Sequence, residues 1–437
     1  VSYLRELKKS ILTQRLVILT CLGTLIHWYD FYILSALIPF IINKYFVSFS
    51  EKALILTVAG SLIGFLIRPL GAIFLGQYID LLGRKTFFIK SLNLTALSTF
   101  IVAIFPFDFV NPALGLAALM FCRLAQGLAL SMEYGSAVSY IYESVPENKT
   151  GYFTGLLQTT APLGFLCSLL CLFISKEIFS LVQFDDWGWR FPLLIGLPLI
   201  VLSTRIRLQL PESEEFQNIK NKGEISTSPL HEIFNFSTHR RKMIELIFAI
   251  AAPQGVTYYL AHNFSFQQVS RIFSLSSTQQ NFLTITVITI CWPITIFIGH
   301  LSDQISAKKL FKIILLGCLI VYPLCFYFLE NWIFPSSNYW ISLIPLILIY
   351  SLSIALYAPT AKILAESFPT RIRGLGISIP YHIGNGFFGG AISFFSVLQL
   401  QNSSGPWMTV IYTMFILLLA LTFLSKNKNL QEDISKF

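Results

Sequence analysis

The chain has 437 residues, of which 54% are apolar and only 12% charged, with a net charge of +9. A soluble domain carries about 25% charged residues, so so few charges cannot cover a globular surface of this size. A soluble enzyme, a disordered chain and a nucleic-acid binder are excluded, and the mean hydropathy of +0.67 makes lipid the main solvent.

A transmembrane helix needs about 20 mostly apolar residues. Twelve such spans are predicted, near 16–42, 53–75, 86–106, 112–141, 151–175, 189–206, 241–265, 281–301, 309–329, 340–363, 374–400 and 406–425. They do not alternate in polarity, as β-barrel strands would. The expected fold is therefore all-α, in two six-helix halves: 1–206, then a polar cytoplasmic linker at 207–240, then 241–425, with a tail at 426–437. The N-terminal basic residues precede an apolar run too long for a cleaved signal, so the first span is read as a retained helix. The seven cysteines all fall within spans and form no C-x-x-C pair, so they read as ordinary buried thiols, with no metal site and no cofactor expected.

With the N-terminus inside, 24 Lys and Arg lie on the cytoplasmic side and 5 outside, while Arg68 and Arg123 fall within spans. This asymmetry places both termini in the cytoplasm and turns the basic net charge into a signature of orientation. The halves also repeat. Gly76-Gln-Tyr-Ile-Asp80 after span 2 matches Gly299-His-Leu-Ser-Asp303 after span 8, and Glu143-Ser-Val-Pro146 matches Glu366-Ser-Phe-Pro369, both at an offset of 223 residues. Parallel repeats about an axis along the membrane normal are a transporter architecture, with substrate bound near the midplane between the halves.

Gly76-x-x-x-Asp80-x-x-Gly83-Arg84-Lys85 resembles the loop 2–3 signature of the major facilitator superfamily, and Arg123-Leu-Ala-Gln126-Gly127 resembles its R-x-x-Q-G motif. Trp28-Tyr29-Asp30-Phe31, Arg68-Pro69-Leu70-Gly71, Glu133, Trp189-Arg190 and Leu210-Pro211-Glu212 are similar to the metabolite:proton symporter branch, which includes proline/betaine, citrate, shikimate and α-ketoglutarate transporters. The resemblance implies a bacterial inner-membrane, multi-pass, monomeric symporter that takes up a small organic acid or zwitterion with protons. It also implies a cytoplasmic gate. Gly76 would let spans 2 and 11 approach closely, Asp80 would accept hydrogen bonds from the start of span 11, Arg84 would pair with Glu143, and Glu366 with Arg373. Because Gln304, Ser306 and Ala307 replace basic and glycine positions around Asp303, the gate is expected to depend mainly on the first half.

Charges inside a bilayer cost at least about 2.5–3.5 kcal/mol and usually serve a function. Arg123 and Glu133 are ten residues apart, close to three helical turns, so they are expected to share a face. A carboxylate, Asp30 or Glu133, that gains and loses Arg123 as the halves rock would take up a proton on one side and release it on the other. The branch commonly has Glu where this chain has His27, which leaves the substrate charge open. Candidate substrate contacts are His27, Trp28, Tyr29 and Tyr32; Arg68, Arg123 and Gln126; Gln158; Tyr258, Tyr259, His262 and Asn263; Trp292; and Tyr381, His382 and Asn385. Aromatics would hold a quaternary ammonium, and arginines would clamp a carboxylate. An exporter or antiporter is the alternative; Ala161-Pro162-Leu163-Gly164-Phe165 carries only part of the span 5 antiporter motif and tilts toward symport. A solute sensor or a membrane enzyme has no supporting motif.

Overall fold

The computed structural model describes residues 2–46, 53–332, 338–401 and 405–426. Ten of its helices are long and apolar enough to cross a membrane: Thr13–Tyr45, Arg84–Ile104, Pro112–Ser144, Glu147–Ile178, Gly188–Gln209, Ser237–Phe273, Ser277–Gln304, Ala307–Asn331, Tyr339–Glu366 and Trp407–Ser425. These are spans 1, 3–10 and 12. Span 2 is Ala53–Leu75, and span 11 runs through Arg373–His382, Ile383–Gly389 and Gly390–Gln401. Bulky side chains such as Phe74, Phe121, Phe297 and Ile411 lie exposed on the outside, as lipid solvent requires. The tail beyond residue 426 and the basic side chains before Thr13 lie outside what is described at side-chain level.

The polar connection is shorter than the sequence implied. Span 6 continues to Gln209 and span 7 starts at Ser237, and the stretch between them holds two short helices, Glu214–Asn221 and Pro229–Asn235. Ser213 caps the first by accepting from Phe216 N, the usual device for an unsatisfied helix start. Hydropathy ended span 6 early because Arg205 and Arg207 are charged, yet Arg207 is fully buried.

Regularity differs between the halves. Span 7 contains π-helical turns at Ile247–Ala251 and Leu260–Phe264, and span 11 contains one at Ile383–Gly389. Such turns are rare and concentrate at functional sites. The halves meet closely where spans 5 and 8 cross: a Cβ on Gly155 would lie 2.9 Å from Gly299 Cα, and a Cβ on Gly299 would lie 2.7 Å from Gly151 O. Only glycine permits that approach.

Candidate functional site

Three layers of polar contacts lie along the seam between the halves. The cytoplasmic layer is closed. Asp80 accepts from Gly374 N (2.9 Å) and Leu375 N (2.8 Å) at the start of span 11. Asp303 does the same to Gly151 N (2.7 Å) and Tyr152 N (2.8 Å) at the start of span 5. All of these positions are related by the 223-residue offset. The second clamp is therefore intact, contrary to the asymmetry expected from its altered loop. Its cation is supplied by Lys362 of span 10, 2.9 Å from Asp303 and 3.8 Å from Glu366. Sequence reasoning looked for that charge in the loop and missed it in the helix.

Around the first clamp, Arg84 pairs with Glu143 (3.0 Å) and Asp80 (3.3 Å) and lies over the ring of Phe216 (4.4 Å). Arg373 crosses the seam to Glu143 (3.0 Å) and to Glu215 of the linker (2.6 Å), and Arg371 pairs with Glu232 (2.7 Å). The expected Glu366 partner of Arg373 is thus replaced by Glu143 and Glu215. Gly76 packs against Leu375, whose Cδ1 would be 3.1 Å from an added Cβ. Gly83 has φ +102, a conformation that excludes other residues, and a side chain there would also collide with Glu212. Lys85 serves the linker junction: its N–H donates to Glu212 and its Nζ to Leu208 O (2.8 Å).

Burial pushes the Asp80 carboxyl up to about 6, against the opposing pull of Arg84 and the two amides. Glu212 is likewise raised by burial.

The second layer is inside the N-terminal half and separates the two carboxylates. Glu133 does not meet Arg123. It receives Arg207 Nη2 (2.7 Å) and Nη1 (3.2 Å), Ser91 Oγ (2.7 Å) and Thr24 Oγ1 (3.1 Å). His27 Nδ1 lies 3.2 Å away, out of hydrogen-bond alignment, while His27 Nε2 meets Thr95 Oγ1 at 2.7 Å. The reason is rotation. Ten residues turn about 1000°, leaving the two side chains about 80° apart on span 4. Arg123 instead heads a hydrogen-bonded chain: its Nη1 donates to Gln126 Oε1 (2.7 Å), Gln126 Nε2 to Thr99 Oγ1 (2.7 Å), and Thr99 Oγ1 to Asp30 Oδ2 (2.6 Å). Arg123 Nη2 also donates to Ser35 Oγ (3.0 Å). Asp30 Oδ1 is buried against Gly196 with no hydrogen-bond partner among the described residues. Arg207 and the hydroxyls were not singled out from sequence. A signal existed: Ser91, Thr95 and Thr99 recur every four residues on span 3, and Ser203 and Arg207 do so on span 6.

The third layer is the central one. A void of about 10 Å³, lined by Trp28, Glu133, Tyr134, Gln158 and Tyr357 among others, has room for about one water. Gln158 Nε2 donates to Tyr134 OH (3.0 Å) and, across the seam, to Tyr357 O (3.1 Å). Tyr32 OH and Tyr258 OH share a hydrogen bond (3.0 Å), Tyr357 OH and Tyr381 OH another (3.2 Å), and Tyr134 stacks on Tyr381. Trp28 stacks on Tyr32, and Tyr258 on His262. Arg68 Nε donates across the seam to His382 Nδ1 (3.2 Å), with Tyr259 and Tyr381 beside it.

Other sequence candidates fall elsewhere. Tyr29 OH donates to Pro192 O (2.7 Å), joining spans 1 and 6 within one half. Asn385 Nδ2 donates to Gln254 Oε1 (2.8 Å), joining spans 11 and 7 within the other. His262 Nδ1 meets Tyr258 O on its own helix. Asn263 and Trp292 are half-buried and take no part in these cross-seam bonds.

Residues 16–426 match the family described as sugar (and other) transporter. The chain belongs to that family. The transporter is 24% identical to the ectoine/proline transporter of Corynebacterium glutamicum, over 91% of this chain and 80% of that one. It is 25% identical to the α-ketoglutarate permease of Escherichia coli, over 94% and 93%. In fold it is similar to the major facilitator superfamily proton:xylose symporter XylE, with a TM-score of 0.74 at 17% identity, covering 96% of each chain. The TM-score against XylE from Escherichia coli in its inward-open conformation is 0.65 at 20% identity. It is a multi-pass membrane protein of twelve transmembrane helices.

Proposed function

We propose that the transporter is a proton-coupled symporter that imports a small carboxylate-bearing solute, a zwitterion or an organic acid, by alternating access. Asp30 is the proposed proton site. The observation that carries this is the difference between the two buried carboxylates. Glu133 is neutralised by Arg207 and saturated with donors, so a proton would disrupt an assembled ion pair. Asp30 has one hydroxyl donor and one oxygen without a partner among the described residues, so it can hold a proton without breaking a salt bridge. The chain through Thr99 and Gln126 to Arg123 connects that protonation to the centre of span 4.

The solute class is supported by the relatives. Proline, ectoine and α-ketoglutarate, named for them, share a carboxylate. The working unit is proposed to be a monomer, since the two halves of one chain complete the seam.

The test is uptake of labelled proline, glycine betaine and 2-oxoglutarate by purified protein in liposomes, with and without an imposed pH gradient. Asp30→Asn should abolish gradient-driven accumulation while sparing gradient-independent exchange. Accumulation that persists in Asp30→Asn removes Asp30 from the coupling step.

A further inference from the structure

Arg68 and His382 form an isolated buried pair at the seam. Arg68 is 1% exposed and His382 0%. Each lies about two to three turns from the cytoplasmic end of its helix, Arg68 on span 2 and His382 on span 11, in opposite halves. The guanidinium is a donor with no lone pair to offer, so its Nε–H bond of 3.2 Å to His382 Nδ1 requires that nitrogen to be unprotonated. Arg68 Nη2 and His382 Nε2 are both buried and without a hydrogen-bond partner among the described residues.

The groups facing the pair are mainly tyrosines. Span 1 contributes Tyr32, span 4 contributes Tyr134 and the backbone of Ser131, span 7 contributes Tyr259, span 11 contributes Tyr381, and span 10 contributes Tyr357 through Tyr381. No carboxylate among the described residues pairs with either group; Glu133, on the same helix as Tyr134, is committed to Arg207. The site therefore holds a buried positive charge, two unused donors and surrounding tyrosine hydroxyls. A buried charge without a counter-ion is costly, and this composition calls for an anion.

We propose that Arg68 and His382 are a site that takes up a carboxylate and a proton together, and that doing so unlocks the cytoplasmic side. The inference rests on the carboxylate-symport reading above and adds a second proton-binding group to it. With His382 neutral, the Arg68–His382 hydrogen bond ties span 2 to span 11. A proton arriving at Nδ1 removes the acceptor, breaks that bond and sets two cations face to face. A carboxylate entering between them neutralises the repulsion. Neither ligand is favourable alone: the proton without the anion leaves two like charges buried, and the anion without the proton meets a seam still bonded shut. Their binding is cooperative, and the carboxylate strengthens proton binding by the same factor as the proton strengthens carboxylate binding. Solute and proton would then release the inner tie between the halves in one event.

The proposal is read from His382 itself, in full-length protein carrying ¹⁵N-histidine in nanodiscs. His382→Asn, which keeps an acceptor for Arg68 but cannot be protonated, assigns the signal, and size-exclusion and thermal melting confirm that this variant folds. Acetate is the probe, as the smallest carboxylate. The expected result is that acetate moves the His382 titration to higher pH. Acetate affinity should rise with acidification more steeply in the native protein than in His382→Asn, by up to about tenfold per pH unit. An imidazole whose titration ignores acetate, or a pH dependence of acetate affinity that is as steep in His382→Asn as in the native protein, overturns the proposal. Failure of the liposome panel to show any carboxylate uptake counts instead against the symport reading, so the two failures are distinguishable.

Discussion

The two halves descend from one repeat but have divided the work. The N-terminal half buries Asp30, Arg68, Arg123, Glu133 and Arg207. At the offset of 223, the first four correspond to Pro253, Cys291, Leu346 and Leu356. The C-terminal half has instead the π-turns of spans 7 and 11 and the tyrosines Tyr258, Tyr259, Tyr357 and Tyr381. One half holds charge in a regular helical frame; the other presents aromatic surface on helices whose hydrogen-bond ladder is locally widened. The lesson is that a fixed electrostatic frame and a deformable partner can come from a single ancestral fold, with only the cytoplasmic clamps kept alike in both.

The largest effect should come from breaking the charged frame. Arg207→Met leaves Glu133 buried without its cation and is expected to cost about 3–5 kcal/mol, seen as a large fall in thermal stability in detergent. Glu133→Gln combined with Arg207→Met should recover most of that loss, because no uncompensated charge remains. If the single variant is harmless, the frame is not what separates the halves.

The clamps provide the next test, since there the halves should behave alike. Asp80→Asn and Asp303→Asn each weaken a pair of charge-assisted hydrogen bonds, individually about 1.5–3 kcal/mol. Amide exchange at Gly374 and Leu375 should accelerate at least about tenfold in the first variant, and at Gly151 and Tyr152 in the second. A response confined to Asp80→Asn would restore the asymmetric gate implied by the loop sequences.

A smaller effect is expected on the aromatic side. Tyr32→Phe and Tyr258→Phe each delete the one hydrogen bond they share, about 0.5–1.5 kcal/mol. The apparent solute affinity should change by about two- to tenfold, and the double variant should be no worse than either single one. Additive losses would show that each hydroxyl has a separate task.

Much of the fold was legible because lipid imposes a strong pattern: spans, orientation and the repeat follow from hydropathy, charge asymmetry and one offset. The Asp80 clamp and the Arg84–Glu143 contact were also legible, since a motif fixes residue type and helix end together. Pairing inside the membrane was not. Arg123 and Glu133 were expected to meet because ten residues is nearly three turns, but the shortfall of about 80° sends them to different neighbours. Arg207 was hidden because hydropathy cannot distinguish a charge that ends a helix from one that meets a partner inside it. Lys362 was hidden because the loop copy had lost its basic residues and the replacement came from span 10.

The clamps have one more consequence. In this closed form, Asp80 and Asp303 together hold four backbone N–H groups, and each must be released and recaptured in every cycle. Their strength sets the height of a step that involves neither solute nor coupling ion. Turnover is thus adjustable at the cytoplasmic rim, by altering how firmly two carboxylates grip two helix starts, without retuning what the transporter selects.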